Sequence, residues 1–183
     1  MPIPTPQPGS LLVRVEVVPI NQSDQHFMKG TYNQFATPQA PYIVGFEGAG
    51  VVVDVGEGVD KKKWLNKKIS FGTNTGGTWA EYISFPESYP FKMVMSDKVN
   101  LLDIASSVIN PMTVMAMYDL AMKAGVTAIA NNVGASSLGR QLVRLSQKKG
   151  FDVVNVVRRQ AQVDELQAMG AKYIVNMSKE GWQ

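Results

Sequence analysis

One turn constrains this chain more than any other feature. Gly134-Ala135-Ser136-Ser137-Leu138-Gly139 follows an apolar run at 127–131 and opens a helical pattern at 138–149 that Gly150 ends. A strand that turns on a glycine directly into an amphipathic helix must lay that helix back over a sheet, so the segments that follow are restricted too. They keep the alternation: a strand at 152–157, a helix at 160–169 closed by Gly170, and a strand at 173–176. The pattern is βαβαβ, half of a doubly wound parallel sheet.

The pattern changes character near residue 100. Before it, short β-branched runs alternate with Gly and Pro clusters, as in an all-β region. Leu11, Val13, Val15 and Val17 fall on one face of a strand and Arg14 and Glu16 on the other, and further strands are expected at 50–55, 68–71 and 79–84. Asn100 is placed to cap a short helix containing Asp103, and a second helix is expected from Pro111 to just before Gly125. The fold class is therefore α/β plus β: a β domain at 1–105, then a partial parallel domain at 106–183.

Composition removes several functions. Among 183 residues there is no Cys and one His, His26, so a disulfide framework, a zinc ribbon and a site built from imidazoles alone are not expected. The net charge is +3, and the basic clusters (61–63, 67–68, 148–149, 158–159) are scattered, which gives no nucleic-acid footprint. The most apolar stretches are short or interrupted by Arg14, Glu16, Asn110, Pro111 and Asp119, so no membrane span is expected.

The glycine turn is the most chemical feature. It fits a dinucleotide fingerprint at Gly134 and Gly139, with Ser136 at the middle glycine position. Backbone N–H groups of Ala135, Ser136, Ser137 and Leu138 and the head of the following helix then face a pyrophosphate. The alternative is that the glycines serve packing only. NAD-binding units place an acidic residue about 20 residues further on to hold the ribose hydroxyls. Here Arg158 and Arg159 stand 19 and 20 residues past Gly139. A guanidinium binds a 2′-phosphate bidentately where an acid would repel it, which points to NADP(H), unless the arginines are simply solvated.

The runs Pro19-Ile20-Asn21-Gln22-Ser23-Asp24, Gly30-Thr31-Tyr32, Gly45-Phe46-Glu47-Gly48-Ala49-Gly50, Gly77-Thr78-Trp79-Ala80-Glu81-Tyr82 and Asn110-Pro111-Met112-Thr113 occur in the order and spacing of one family. With them the chain resembles the medium-chain dehydrogenase/reductase superfamily, in its zinc-independent quinone oxidoreductase and 2-enoyl thioester reductase branch. The resemblance implies a GroES-like β-barrel catalytic domain followed by the first half of a Rossmann domain. It also implies no zinc: the zinc members carry a Cys in the segment matching 21–24 and a His where this chain has Phe46. The implied activity is hydride transfer from NADPH to the double bond of a 2-enoyl thioester or similar conjugated carbonyl, with NADPH:quinone reduction as the alternative. Tyr32 matches the tyrosine assigned to the active site of the enoyl reductases; the other reading is a loop aromatic packed over Pro41 or Phe35. Asn21 and Thr113 match residues near the nicotinamide end of the cofactor, although Asn21 could serve its own turn and Thr113 could cap the helix after Pro111.

Neighbouring residues have plainer expectations. Glu47 is expected to pair with a cation, Asp24 to close a turn, and His26 to be exposed or packed. Trp79 and Tyr82, three apart in the expected strand, would face opposite sides, one walling the substrate cleft and the other in the core. The resemblance further implies a chain shorter than its family at both ends, a homodimer for the full-length family, and a mitochondrial matrix or cytoplasmic compartment. Other protein subunits would then cover the cut sheet, and a reading of another class follows, a catalytically inactive accessory subunit of a larger assembly.

Overall fold

The computed structural model describes residues 2–32, 42–74, 77–179 and 181. Two compact units divide the chain, Met1–Ile109 and Asn110–Gln183. In the first, β1 (Ser10–Val17), α1 (Gln22–Met28), β2 (Glu47–Val55), α2 (Lys61–Trp64), β3 (Lys68–Gly72), β4 (Tyr82–Pro86), β5 (Lys92–Val94) and α3 (Leu101–Ile104) follow one another. The strands form one antiparallel sheet in the order β4-β1-β2-β3-β5. Leu11, Val13, Val52, Trp64, Ile69, Phe71 and Phe85 close over one another as its main core. Each such side chain contributes about 1.5–3 kcal/mol by leaving water. A second cluster, Ala49, Ile104 and Ala105, seats α3 on the sheet.

The N-caps follow local chemistry. Asp60 accepts from the backbone N–H groups of Lys62 and Lys63 at the head of α2, and Asn100 accepts from that of Leu102 at the head of α3. Trp64 at the end of α2 donates its indole N–H to Glu87 at 2.6 Å, and Lys63 meets the same oxygen at 2.7 Å.

The second unit holds the remainder of α4 (Ile109–Lys123), then β6 (Ala128–Asn131), α5 (Ser137–Lys149), β7 (Asp152–Val157), α6 (Gln160–Ala168) and β8 (Tyr173–Asn176). Its three strands are parallel in the order β6-β7-β8. One cluster joins Val114 of α4, Leu142 of α5, Phe151 and Val153, and another joins Val143 of α5, Val157, Val163 and Leu166. Adjacent residues of α5 thus serve different clusters. Gly150, at φ +74°, ends α5 in the left-handed conformation that a β-carbon disfavours.

Two element boundaries are corrected here. The strand expected at 79–84 starts at Tyr82, because Gly77, Thr78 and Trp79 spend their N–H groups on Val44 and Gly45 carbonyls and make a turn. The helix expected from Pro111 starts two residues earlier, at Ile109, so Thr113 lies too far inside to cap it. The 101–123 stretch reaches a mean hydropathy of 1.2, enough by length and composition for a membrane span. It is not one rod, however, since turns at 105–108 separate α3 from α4.

Candidate functional site

In the first unit the candidate residues gather around α1. Asn21 is its N-cap, in extended conformation, and Asp24 reaches back to accept Asn21 N–H through Oδ2 at 2.7 Å. The other oxygen, Oδ1, accepts the N–H of Phe46 at 3.2 Å, so a fully buried carboxylate ties the helix start to the loop before β2. The turn expected for Asp24 is therefore a cap plus a long-range tie. His26 is exposed, with Nδ1 3.0 Å from Thr31 Oγ1.

Glu47 departs from expectation. No cation meets it among the described residues. It is 1% exposed, and Oε1 accepts the N–H groups of Val108 and Ile109 at 2.8 and 2.7 Å. It is thus the distant cap of α4, placed where the helix head is electropositive. Its Oε2 is buried without a hydrogen-bond partner, and the Asn21 side chain approaches the carboxylate short of bonding that oxygen. Burial raises the Glu47 pKa above its ordinary value; the N–H groups of Ile109 and Val108 and the Asn21 side chain oppose the shift, and the Asp24 carboxylate adds to it. Asp24 is likewise raised by burial, against its two backbone hydrogen bonds.

Tyr32 stands at the edge of an aromatic cluster. The residue is 39% exposed, and its ring lies 5.3 Å from that of Phe46, which packs edge-on against Phe27 at 5.0 Å. Pro41 and Phe35, the expected packing partners, lie outside the described residues. The side chain is partly exposed while its ring contacts Phe46, and a tyrosine so placed can hydrogen-bond a small molecule. Where the zinc members of the superfamily carry a His, Phe46 offers only carbon. Among the described residues no three His, Cys, Asp or Glu side chains are grouped to hold a metal ion.

Trp79 precedes β4, so strand alternation does not fix how it stands to Tyr82; both border one cleft of about 870 Å³ beside β4, which every residue from 79 to 86 lines.

In the second unit the glycine turn joins β6 to α5 as expected. Ser136 is the N-cap, its Oγ accepting Gly139 N–H at 3.0 Å. The N–H groups of Ser137 and Leu138 are the remaining donors at the helix head among the described residues. A β-carbon at Gly139 would lie 2.2 Å from the Gly134 carbonyl oxygen, and one at Gly134 would lie 2.7 Å from Asn155 Cβ. The glycines therefore let the turn close on both α5 and β7. Beside it a cleft of about 190 Å³ is lined by 132–136, 156–158 and Gln162. Arg158 lines this cleft, whereas Arg159 is the N-cap residue of α6 and does not.

Sequence reasoning missed three residues here. Asn131 and Asn155, buried at paired positions of β6 and β7, leave Nδ2 of the first and Oδ1 of the second without partners. Gln162 binds the backbone of Arg158. The paired asparagines on apolar strands were a readable signal; Gln162 had none. Thr113 sits in the second turn of α4.

Residues 7–95 match the alcohol dehydrogenase GroES-like domain. The chain is 31% identical over 172 residues to the mitochondrial enoyl-[acyl-carrier-protein] reductase of Bos taurus, covering 89% of this chain and 44% of that protein. It is 29% identical to the synaptic vesicle membrane protein VAT-1 homolog of Mus musculus over 143 residues, 78% of this chain and 34% of that protein. The crystal structure of a proposed NADPH:quinone reductase from Mesorhizobium loti superposes with a TM-score of 0.84 at 32% identity, covering 98% of this chain and 52% of that one. The chain spans less than half the length of these two relatives and about half of that structure. The GroES-like match, the antiparallel sheet that carries it and the parallel α/β unit that follows support the medium-chain dehydrogenase/reductase superfamily as the family of this chain.

Proposed function

We propose that this chain carries the substrate-side and adenosine-side parts of a zinc-independent reductase that uses NADPH on the double bond of a 2-enoyl thioester or similar conjugated carbonyl. The observation that carries this reading is the cleft between the glycine turn and the end of β7, where Arg158 is the one charged lining residue among the described residues. The residues there fit a dinucleotide. The turn closes tightly enough for backbone approach, the head of α5 presents N–H donors, and orphaned amide atoms of Asn131 and Asn155 underlie the turn. Bound NADPH would supply the hydride. Arg158, with Arg159 next to it, would bind the 2′-phosphate. Asn21 and Thr113 are assigned to the nicotinamide end by family resemblance. Tyr32 would hydrogen-bond the developing enolate or protonate the α-carbon.

Quinone reduction is a second reading, favoured by the name of the Mesorhizobium structure. The mitochondrial name of the Bos taurus relative supports a matrix location for the enoyl reading. Titration with NADPH and NADH, followed by nucleotide fluorescence, tests the cofactor. Saturable binding with NADPH preferred is expected, and no binding by the folded chain would overturn the reading. Turnover of a 2-enoyl thioester and of a quinone then separates the two substrates, and nucleotide binding with neither turned over would favour the accessory-subunit reading.

A further inference from the structure

We propose that Gln162 determines cofactor specificity, its side-chain amide donating to the 2′-phosphate beside Arg158; this rests on the NADPH reading above. Gln162 is the third residue of α6 and lines the cleft with Arg158. Its Oε1 accepts the backbone N–H of Arg158 at 3.1 Å. Only the amide oxygen can accept from an N–H, so this bond fixes which end of the amide is which. With its oxygen turned to Arg158 N–H, the amide NH2 remains to offer two N–H donors.

A phosphate monoester is an acceptor of three oxygens, so a lining that offers a guanidinium and an amide NH2, with no carboxylate among its residues, suits it. The acids nearby on α6 are otherwise engaged: Asp164 accepts from Gln160 at 2.8 Å, and Glu165 pairs with Arg140. The same Gln162 bond ties α6 to the end of β7 and so holds the backbone of Arg158 in place. One side chain thereby both orients the arginine and adds a donor beside it.

Gln162→Glu separates these roles. The carboxylate keeps an acceptor for Arg158 N–H but replaces the amide donor with a negative oxygen. In the whole chain, titrated with NADPH, NADH and the competitor 2′,5′-ADP, this variant should bind NADPH and 2′,5′-ADP about tenfold or more weakly, with NADH within about twofold. Gln162→Met, which adds no charge, should weaken NADPH by a smaller factor. It also serves if the first variant fails to fold, as far-ultraviolet circular dichroism would reveal. An unchanged NADPH-to-NADH ratio in a folded variant, with the wild type still preferring NADPH, would overturn the role of Gln162 alone. A wild type that binds neither nucleotide would overturn the cofactor reading together with it.

Discussion

Glu47 and Asp24 are two carboxylates taken out of water with no cation beside either among the described residues, and both pKa values are raised by burial. A carboxylate raised above its ordinary value holds its proton more tightly in the folded state. Its contribution to stability is complete below that ordinary value, 4.5 for Glu47, and is lost as pH rises through the folded value. Glu47→Gln retains an acceptor for Val108 and Ile109 N–H and removes the charge. It should change stability at neutral pH by less than about 1 kcal/mol and flatten the decline above about pH 4.5, measured by urea unfolding across pH. Glu47→Ala removes the acceptor of the buried Val108 N–H and of the part-buried Ile109 N–H and should cost about 1–3 kcal/mol. A steeper pH dependence in Glu47→Gln would show that this carboxylate folds ionised and paired. Tyr32→Phe makes a separate prediction for turnover-competent protein: kcat falls about 100-fold, the low end for a lost proton donor, with NADPH affinity unchanged. Equal loss of both would make the tyrosine structural. The role of Glu47 was not legible in sequence, since its partners stand 61 and 62 residues away and nothing local marks them. Asp24 was half legible, as a residue that closes a local turn but not as the tie to Phe46.

At the scale of elements, the head of α5 separates turn geometry from helix stability. Ser136→Ala removes one cap and should cost about 1 kcal/mol, with NADPH binding weakened only a fewfold. Gly139→Ala is different in kind. Its β-carbon would meet the Gly134 carbonyl oxygen at 2.2 Å, and backbone cannot swing aside as a side chain can. The turn must open, at a cost of about 1–3 kcal/mol and with NADPH binding lost by more than tenfold in the same titration. Retained binding would assign the glycines to packing alone. The β-α alternation of this unit was legible because strands, helices and terminal glycines agreed at every step, as Gly150 and Gly170 illustrate. The boundaries that failed, before Tyr82 and before Pro111, failed for tertiary reasons. Carbonyls of Val44 and Gly45 capture the N–H groups before β4, and Glu47 supports the start of α4 ahead of Pro111 by accepting the N–H groups of Val108 and Ile109.

For the whole molecule, the question is where nucleotide binding is felt. A ligand that binds only the folded state adds about 2.7 kcal/mol at 100 times its Kd. A unit the size of Asn110–Gln183 gains about 4–8 °C per kcal/mol if it melts by itself, against about 2–4 °C for a body the size of the whole chain. NADPH should therefore raise the melting temperature by about 10–20 °C in the first case and about 5–11 °C in the second. Hydrogen exchange locates the effect whichever holds: added protection should centre on the turn between β6 and α5, the end of β7 and the head of α6, whose residues line the cleft. Replacing Arg158 and Arg159 together by Ala should remove most of the shift given by NADPH and little of that given by NADH, because only the first nucleotide carries the 2′-phosphate. Protection confined to Met1–Ile109, or equal losses for the two nucleotides, would take the phosphate away from the end of β7 and with it the argument that this strand selects the cofactor.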